Sequence, residues 1–220
     1  MPNWVRNKMI LDGDQNTVTA VLFAIKNEEV GIGSIDFNKI IPMPAELNIE
    51  CSSRTTHGCE MVAKYYAALA DGRDTSEYGK YASEHPDEWE LGKKAFDNKA
   101  RYGYESWYDW CVAKWGTKWN ANNVDTACTE DSIVFDTAWS APIEVVQRLS
   151  EMFPDLYIEL QYADEDLGRN CGMIEFHDGE KSDQIVYWAE SRSAFEHACD
   201  VWEYDAQSMW EEYGREYQNA

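Results

Sequence analysis

The residues best suited to chemistry in this sequence are two cysteines and a histidine within CSSRTTHGC, at Cys51, His57 and Cys59. Thiolate and imidazole groups at this spacing could hold a zinc ion together with a fourth ligand. Structural zinc sites usually take their ligands from two such pairs, and the sequence has no second pair and no C-x-x-C. The pattern therefore favours free thiols near a helix start over a metal site, and we expect no cofactor.

The sequence gives little further sign of catalysis, which requires a nucleophile, a base or a metal within mutual reach. The four histidines stand in unrelated contexts: His57, His85, His177 and His197. G-x-S-x-G, H-E-x-x-H, P-loop and G-x-G-x-x-G motifs are all missing. The acids of ADED, residues 163–166, do not follow the spacing of a calcium loop. We expect a binding protein rather than an enzyme; the alternative is a hydrolase in which the fold brings Cys171 to His177.

Charge is the dominant feature of the composition, because 41 Asp and Glu against 19 Lys and Arg give a formal net charge of -22. From Ser140 to Ala220 there are 19 acidic and 5 basic residues, so -14 of this charge falls there. Nucleic acids are bound by basic surfaces that release counterions, so direct nucleic-acid binding is not expected. An acidic protein suits basic partners, of which nucleic-acid-binding proteins are the most basic. Solubility is the alternative reason for the charge.

Two groups of acids in this part of the chain are predicted to contact the partner. One lies in a hairpin turn and the other on a face of the terminal helix. Like charges four residues apart on a helix cost about 0.3 kcal/mol per pair, which a face that meets basic groups can offset. The alternative is that the acidic face of the helix is simply exposed to solvent. The predicted contacts are Asp164, Glu165, Asp166, Glu196, Asp200, Glu203, Glu211 and Glu212.

Aromatic residues are concentrated in WYDWCVAKWGTKWN, residues 107–120, which follow a helical period. One helical face is typical of core packing: Tyr104, Tyr108, Cys111 and Trp115. The tryptophans outside that face form a candidate exposed patch, which favours a protein partner: Trp107, Trp110 and Trp119. A third class of function is an RNA-binding module, whose bases would stack on sheet aromatics: Trp139, Tyr157, Tyr162 and Phe176. The net charge opposes this class.

Strand and helix signals predict an α+β fold with a ferredoxin-like antiparallel sheet, an inserted helical subdomain and an acidic C-terminal helix. The predicted parts are a β-α-β unit (1–44), a helical insertion (45–118), a β-α-β-β unit (119–180) and an acidic helical extension (181–220). Within them we predict a strand over Ile35–Ile41 and one terminal helix over Ser193–Tyr217, and QIVYWAE, residues 184–190, is a candidate further strand.

The remaining composition predicts a soluble, cytoplasmic protein of a bacterial host. No run of about 18 apolar residues is present, and the first residues lack a signal-peptide pattern. The six scattered cysteines suit free, buried thiols rather than a disulfide framework. The sequence does not indicate an oligomeric state.

Four segments occur in an order that resembles the YubB-like family of phage and plasmid proteins, which is named for a ferredoxin-like domain. They are NWVRN, FNKIIPMP, WYDWCVAKWGTKWNA and FDTAWSAPIEVVQRLSEMFPDLYIELQYADEDLG. The resemblance covers nearly residues 1–177, and the acidic tail after Asp183 is less typical. It implies a mobile-element origin and a ferredoxin-like fold, and it supplies no catalytic residues.

Such an origin, together with the charge, suggests a function against host defences. CRISPR effectors hold their nucleic acids in positively charged channels, which an acidic protein can occupy as a nucleic-acid mimic. We therefore expect an inhibitor of a bacterial nucleic-acid-targeting defence complex, with a Cas effector subunit as the partner. The alternative is a mobile-element accessory protein whose acidity serves solubility.

Overall fold

The computed structural model describes residues 2–123 and 128–213 of the 220. Contacts between residues divide the chain into two compact units. The first unit contains the residues up to Pro42 and those from Lys114 onwards, and the second is Met43–Ala113. The contacts separate two units and do not test the finer division into four parts, which stays a prediction.

The first unit is built on a six-stranded sheet in which every pair of neighbouring strands is antiparallel. The strands are β1 (Trp4–Asp12), β2 (Asn122–Asn123), β3 (Ser132–Ala138), β4 (Tyr157–Asp164), β5 (Cys171–His177) and β6 (Glu180–Val186). Their order across the sheet is β2-β3-β1-β4-β5-β6. The helices of this unit are α1 (Gln15–Ile25), α6 (Ile143–Met152), α7 (Arg192–Val201) and α8 (Ala206–Tyr213).

The sheet confirms the predicted ferredoxin-like arrangement. Strands β3 and β4 both run antiparallel to β1, which lies between them, so they are parallel to each other. Helix α6 connects β3 to β4, and this split β-α-β unit is a hallmark of the ferredoxin-like plan. Helix α6 buries Val145, Val146 and Leu149 and packs against β4, β5 and β6.

The predicted strand over Ile35–Ile41 is wrong, because this segment instead contains a short 3₁₀ turn at Phe37–Lys39. The Ile35 N–H donates to Asn123 Oδ1 at 2.8 Å, and the Asn123 amide donates to the Ile35 carbonyl at 3.1 Å. The segment therefore lies beside β2 through side-chain amides rather than through a ladder of backbone hydrogen bonds.

Alternation along β1, β4 and β5 gives the sheet two different faces. One face carries fully buried apolar side chains, among them Met9, Leu160 and Phe176. Helix α7 packs on the other face, where its apolar side meets Ala163 and Cys171. The two faces are therefore covered by different helices. Helix α7 lies beside the turn that joins β4 to β5, residues 165–170, which we call the β4–β5 turn.

The predicted helical extension over 181–220 requires correction at both ends. Strand β6, Glu180–Val186, occupies its beginning, so helix starts only at Arg192. The single helix predicted over Ser193–Tyr217 is two helices, α7 and α8, separated by residues 202–205. The last residues of that prediction, 214–217, lie outside the described residues.

The second unit is helical, with α2 (Ser53–Ala70), α3 (Ser76–Glu84), α4 (Pro86–Tyr102) and most of α5 (Trp107–Trp115). Helices α2 and α4 approach closely where Gly58 meets Gly92. A Cβ atom added to Gly92 would lie 2.2 Å from the Gly58 carbonyl carbon, so neither position has room for a side chain. None of the helices in the described parts of the chain has the length and apolarity needed to cross a membrane.

Candidate partner-binding surface

The β4–β5 turn is built around Asp164, which is 6% exposed. Its Oδ1 accepts hydrogen bonds from the Asn3 amide at 3.2 Å and from the Asp166 N–H at 2.9 Å. Its Oδ2 accepts from the Asn170 amide at 3.4 Å. A partner cannot reach this carboxylate, so the predicted contact at Asp164 is corrected: the residue shapes the turn that presents its neighbours.

Those neighbours, Glu165 and Asp166, are exposed. The Glu165 carboxylate accepts a hydrogen bond from the Trp4 N–H at 3.0 Å, and the Glu165 N–H donates to the Trp4 carbonyl at 2.8 Å. Asp166 lies 3.2 Å from Arg169, which also pairs with Glu190. Surface ion pairs of this kind contribute only about 0–1 kcal/mol, so they can open when a stronger cationic partner arrives.

Helix α7 positions the next two predicted contacts, Glu196 and Asp200. The Ser191 side chain caps the helix by accepting from the Ala194 N–H at 3.1 Å. The buried side of the helix consists of Ala194, Phe195, Ala198, Cys199 and Val201. Glu196 and Asp200 are exposed, and Glu196 pairs with Arg192 at 2.7 Å. Within the described parts of the chain Asp200 forms no ion pair.

The break after α7 has two causes. The Trp202 indole N–H donates to the carbonyls of Ala163 and Asp164, each at 3.1 Å, which ties the chain to the end of β4. Glu203 then adopts a φ of 58°, in the left-handed region that ends helices. Asp205 caps α8 by accepting from the Ser208 N–H at 2.8 Å, and hydrogen bonds to Ser208 hold the Asp205 pKa below its usual value.

The last predicted contacts lie at this break and on α8. Glu203, Glu211 and Glu212 are all exposed, and Glu211 accepts a hydrogen bond from the Gln207 amide at 2.6 Å. None of the three forms an ion pair with another described residue. Hydrogen bonding to Glu212 raises the pKa of Tyr213. These carboxylates therefore supply negative charge that no ion pair with another described residue neutralises.

An open groove of about 340 Å³ joins the turn to α8. Its lining includes the carboxylate residues Glu165 and Asp166 and the larger side chains Leu167, Phe195, Tyr204 and Met209. Leu167, Tyr204 and Met209 were not among the site residues predicted from the sequence. An apolar groove with carboxylates around it suits a partner that presents an apolar side chain among Lys and Arg. We call the groove and the exposed acids of α7 and α8 the acidic surface.

The structure corrects one member of the predicted tryptophan patch. Trp110 is 6% exposed and belongs to the core, so its place in the patch was wrong. Trp107 is half-buried, with its ring 5.7 Å from that of Tyr108. Trp119 belongs to the other unit and is 36% exposed.

Trp119 instead contacts aromatic residues that the sequence analysis did not connect with it. Its ring centroid lies 6.1 Å from that of Trp4. The Lys118 ammonium lies 4.5 Å from the Trp119 centroid and 4.8 Å from that of Trp139. Pairing of β1 with β3 places Trp4 opposite Ala138, one residue before Trp139, so the sheet register brings these residues together.

The metal alternative finds no support in the placement of its residues. Cys51 is exposed, whereas Cys59 is buried and its pKa is raised to about 11, chiefly by burial. His57 Nδ1 lies 2.7 Å from Glu88 and 3.1 Å from the Tyr81 hydroxyl. Across residues 2–123 and 128–213, no three His, Cys, Asp or Glu side chains are grouped so as to hold a metal ion.

The hydrolase alternative required the fold to bring Cys171 to His177. Burial raises the pKa of Cys171 to about 11, which disfavours a reactive thiolate. Cys171 and His177 lie at opposite ends of β5, about 20 Å apart along an extended strand, so the fold does not pair them. The expectation that all six thiols are buried was wrong for Cys51 and Cys128, which are exposed.

The aromatic residues considered for base stacking lie in different environments. Tyr162 and Phe176 are 8% and 0% exposed, on the buried face of the sheet. Tyr157 is 54% exposed, and alternation along β4 places it on the opposite face. These residues therefore do not form one platform for RNA bases.

Comparison with known proteins supports only the fold. Residues 114–205 match the family model described as a ferredoxin-like domain in Api92-like protein. The crystal structure of a protein api92 from Yersinia pseudotuberculosis is similar at 12% sequence identity and a TM-score of 0.42, covering 86% of this chain and 99% of that one. No curated protein matches the chain. The matched family model describes a ferredoxin-like domain, and its name is Api92-like rather than YubB-like.

Proposed function

We propose that this protein is an acidic binding protein that occupies the basic, nucleic-acid-binding surface of another protein. The observation that carries the proposal is the acidic surface. Glu203, Glu211 and Glu212 form no ion pair among the described residues. The groove lined by Glu165 and Asp166 offers the partly exposed side chains of Tyr204 and Met209 for apolar contact. Charge alone would serve solubility equally well, but charge next to an apolar groove suits a protein interface.

The charge of the whole chain supports the same partner class. At a net charge of -22, the protein is attracted to basic surfaces over a distance of about one Debye length, roughly 8 Å at physiological salt. The same field repels the phosphates of nucleic acids. A partner that binds nucleic acid through Lys and Arg would therefore bind either this protein or its nucleic acid at that surface.

We infer further that the partner belongs to a bacterial nucleic-acid-targeting defence complex, with a CRISPR effector subunit as the first candidate, and that the gene is of phage or plasmid origin. The support is the resemblance of residues 1–177 to phage and plasmid proteins and the basic channels of such effectors. In this role the protein acts as an inhibitor by mimicking nucleic acid.

The test is a pull-down with tagged protein from bacterial lysates that contain active CRISPR and restriction complexes. We expect recovery of an effector subunit at low salt, with loss of that subunit at high salt or when competing DNA or RNA is added. The recovered complex should cleave or bind its target less well in the presence of the protein. If recovery survives both salt and nucleic acid, mimicry is wrong. If the folded bait recovers no effector, the accessory-protein alternative replaces the inhibitor.

A further inference from the structure

The indole rings of Trp119 and Trp139 both lie close to one of the protein's own cations, the ammonium of Lys118. The Lys118 ammonium is within 5 Å of both ring centroids, at 4.5 and 4.8 Å. A cation within about 6 Å of an indole centroid is attracted by the negative face of the ring, most strongly for tryptophan. Trp4 packs against Trp119 with centroids 6.1 Å apart, which adds a third indole.

Trp139 is held in a conformation that a bulky residue rarely adopts. Its φ is 76°, in the left-handed region, which costs about 1–3 kcal/mol for such a residue. The surrounding backbone fixes it, because its N–H donates to the Asn3 carbonyl at 2.9 Å and its carbonyl accepts from the Asn170 amide at 3.0 Å. The outcome is an indole that stays 41% exposed beside Lys118. Strain retained at an exposed aromatic residue is typical of binding sites.

The site formed by these indoles also adjoins the acidic surface, because the β4–β5 turn contacts both. The Trp4 carbonyl accepts a hydrogen bond from the Glu165 N–H, and the Trp4 N–H donates to the Glu165 carboxylate. Asn170, which binds the Trp139 carbonyl, belongs to the same turn. A cationic group arriving at the turn therefore meets negative charge and indole faces together.

We propose that Trp119 and Trp139, supported by Trp4, form a binding site for an organic cation, an alkylammonium or guanidinium group that takes the place of the Lys118 ammonium. The proposal rests on the proposed function only for the source of the cation, since a basic protein partner supplies Lys and Arg side chains. The Lys118 ammonium already shows that the indoles accept a cation at cation–π distance.

The experiment uses the Lys118→Ala variant of the full chain, labelled with ¹⁵N at tryptophan, and follows indole N–H signals by NMR. Signals of Trp119 and Trp139 are assigned with single Phe variants. The probes are choline, N-acetylarginine amide and 3,3-dimethyl-1-butanol, a neutral analogue of choline. We expect saturable shifts of both signals with at least one of the cations, and binding at least threefold weaker in the wild-type chain, where Lys118 competes. Lys114→Ala, which removes an exposed lysine four residues away in the sequence, should behave as the wild type.

A tighter response to N-acetylarginine amide identifies a protein side chain as the source, whereas a tighter response to choline identifies a small quaternary ammonium. Equal shifts with the neutral alcohol, or no shift with either cation in Lys118→Ala, overturn the site. Trp139→Gly suits the left-handed backbone and removes the ring, so it should fold and lose the response. Because these probes need no partner, cation binding and the capture of a basic protein can fail separately.

Discussion

At the scale of single residues, Asp164 determines whether the β4–β5 turn forms. Replacing Asp164 by Ala removes the acceptor for the Asn3 amide, the Asp166 N–H and the Asn170 amide. We expect a loss of about 2 kcal/mol in the free energy of unfolding, because hydrogen bonds to a charged acceptor contribute about 1.5–3 kcal/mol. Urea denaturation measures this loss. Asp166→Ala is the matched control and should change stability by about 0.5 kcal/mol or less, since Asp166 forms only a surface ion pair. Equal effects of the two variants would contradict the role given to Asp164.

His197 gives the first unit a defined dependence on pH. Burial lowers the pKa of His197, although its contact with the Gly172 carbonyl and the charges of Asp200 and Glu159 act to raise it. Since the unfolded chain binds a proton near pH 6.5 and the folded chain only at lower pH, stability falls as the pH drops through 6.5. The fall approaches about 1.4 kcal/mol per pH unit in that window.

The variant His197→Gln keeps a donor for the Gly172 carbonyl and does not titrate. Urea midpoints measured at pH 7.5 and 5.5 should therefore differ more for the wild type than for His197→Gln. A wild-type chain that loses no more stability than the variant over this interval would show that His197 is not the group responsible.

Residue types alone could not show which acids and which tryptophans are buried and which are exposed. Asp164, Glu165 and Asp166 are adjacent acids in the sequence, yet only the first is buried, because the turn closes around its carboxylate. Likewise, Trp110 and Trp119 belong to one aromatic stretch, while the first is core and the second exposed. The distinction depends on hydrogen bonds between residues more than a hundred positions apart, such as Asn3 with Asp164.

At the scale of elements, the crossing of α2 and α4 depends on two glycines. An alanine at Gly92 would place its Cβ 2.2 Å from the Gly58 carbonyl carbon, so the helices must separate. We expect Gly92→Ala to destabilise the second unit by about 2–3 kcal/mol. The control is Gly79→Ala in α3, where the added Cβ meets nothing within 4 Å and helix propensity should add up to about 1 kcal/mol. Hydrogen exchange of amides in α2 reports the difference, and protection of α2 retained in Gly92→Ala would refute the close crossing.

Elements set by local pattern were predictable, and those set by distant contacts were not. The β-α-β-β unit predicted over 119–180 contains β3, α6, β4 and β5 in that order. The strand predicted at Ile35–Ile41 failed because the Asn123 side chain takes the place of a ladder partner. The single terminal helix failed because Trp202 binds carbonyls at the end of β4, which no periodicity in the helix itself can reveal.

At the scale of the whole molecule, the fold brings together acids that are distant in sequence. The turn after β4 and helix α8 both line one groove, so the turn acids Glu165 and Asp166 face the helix that carries the exposed acids Glu211 and Glu212. Composition predicted the sign and excess of this charge. Composition could not predict the apolar side chains that line the groove, because Leu167 and Tyr204 lie in irregular segments without a hydrophobic period.

The central claim is that the acidic surface, and not the net charge alone, binds the basic partner. The variant Glu203→Lys/Glu211→Lys/Glu212→Lys changes the acidic surface. The variant Glu60→Lys/Glu77→Lys/Glu84→Lys changes net charge equally at exposed positions of the second unit. The measurement is the dissociation constant of each variant for the effector subunit recovered by the wild-type protein, by fluorescence anisotropy at physiological salt. We predict weakening of about 10- to 100-fold for the first variant and about threefold or less for the second. Equal weakening by both variants would contradict the claim and leave net charge as the sole determinant.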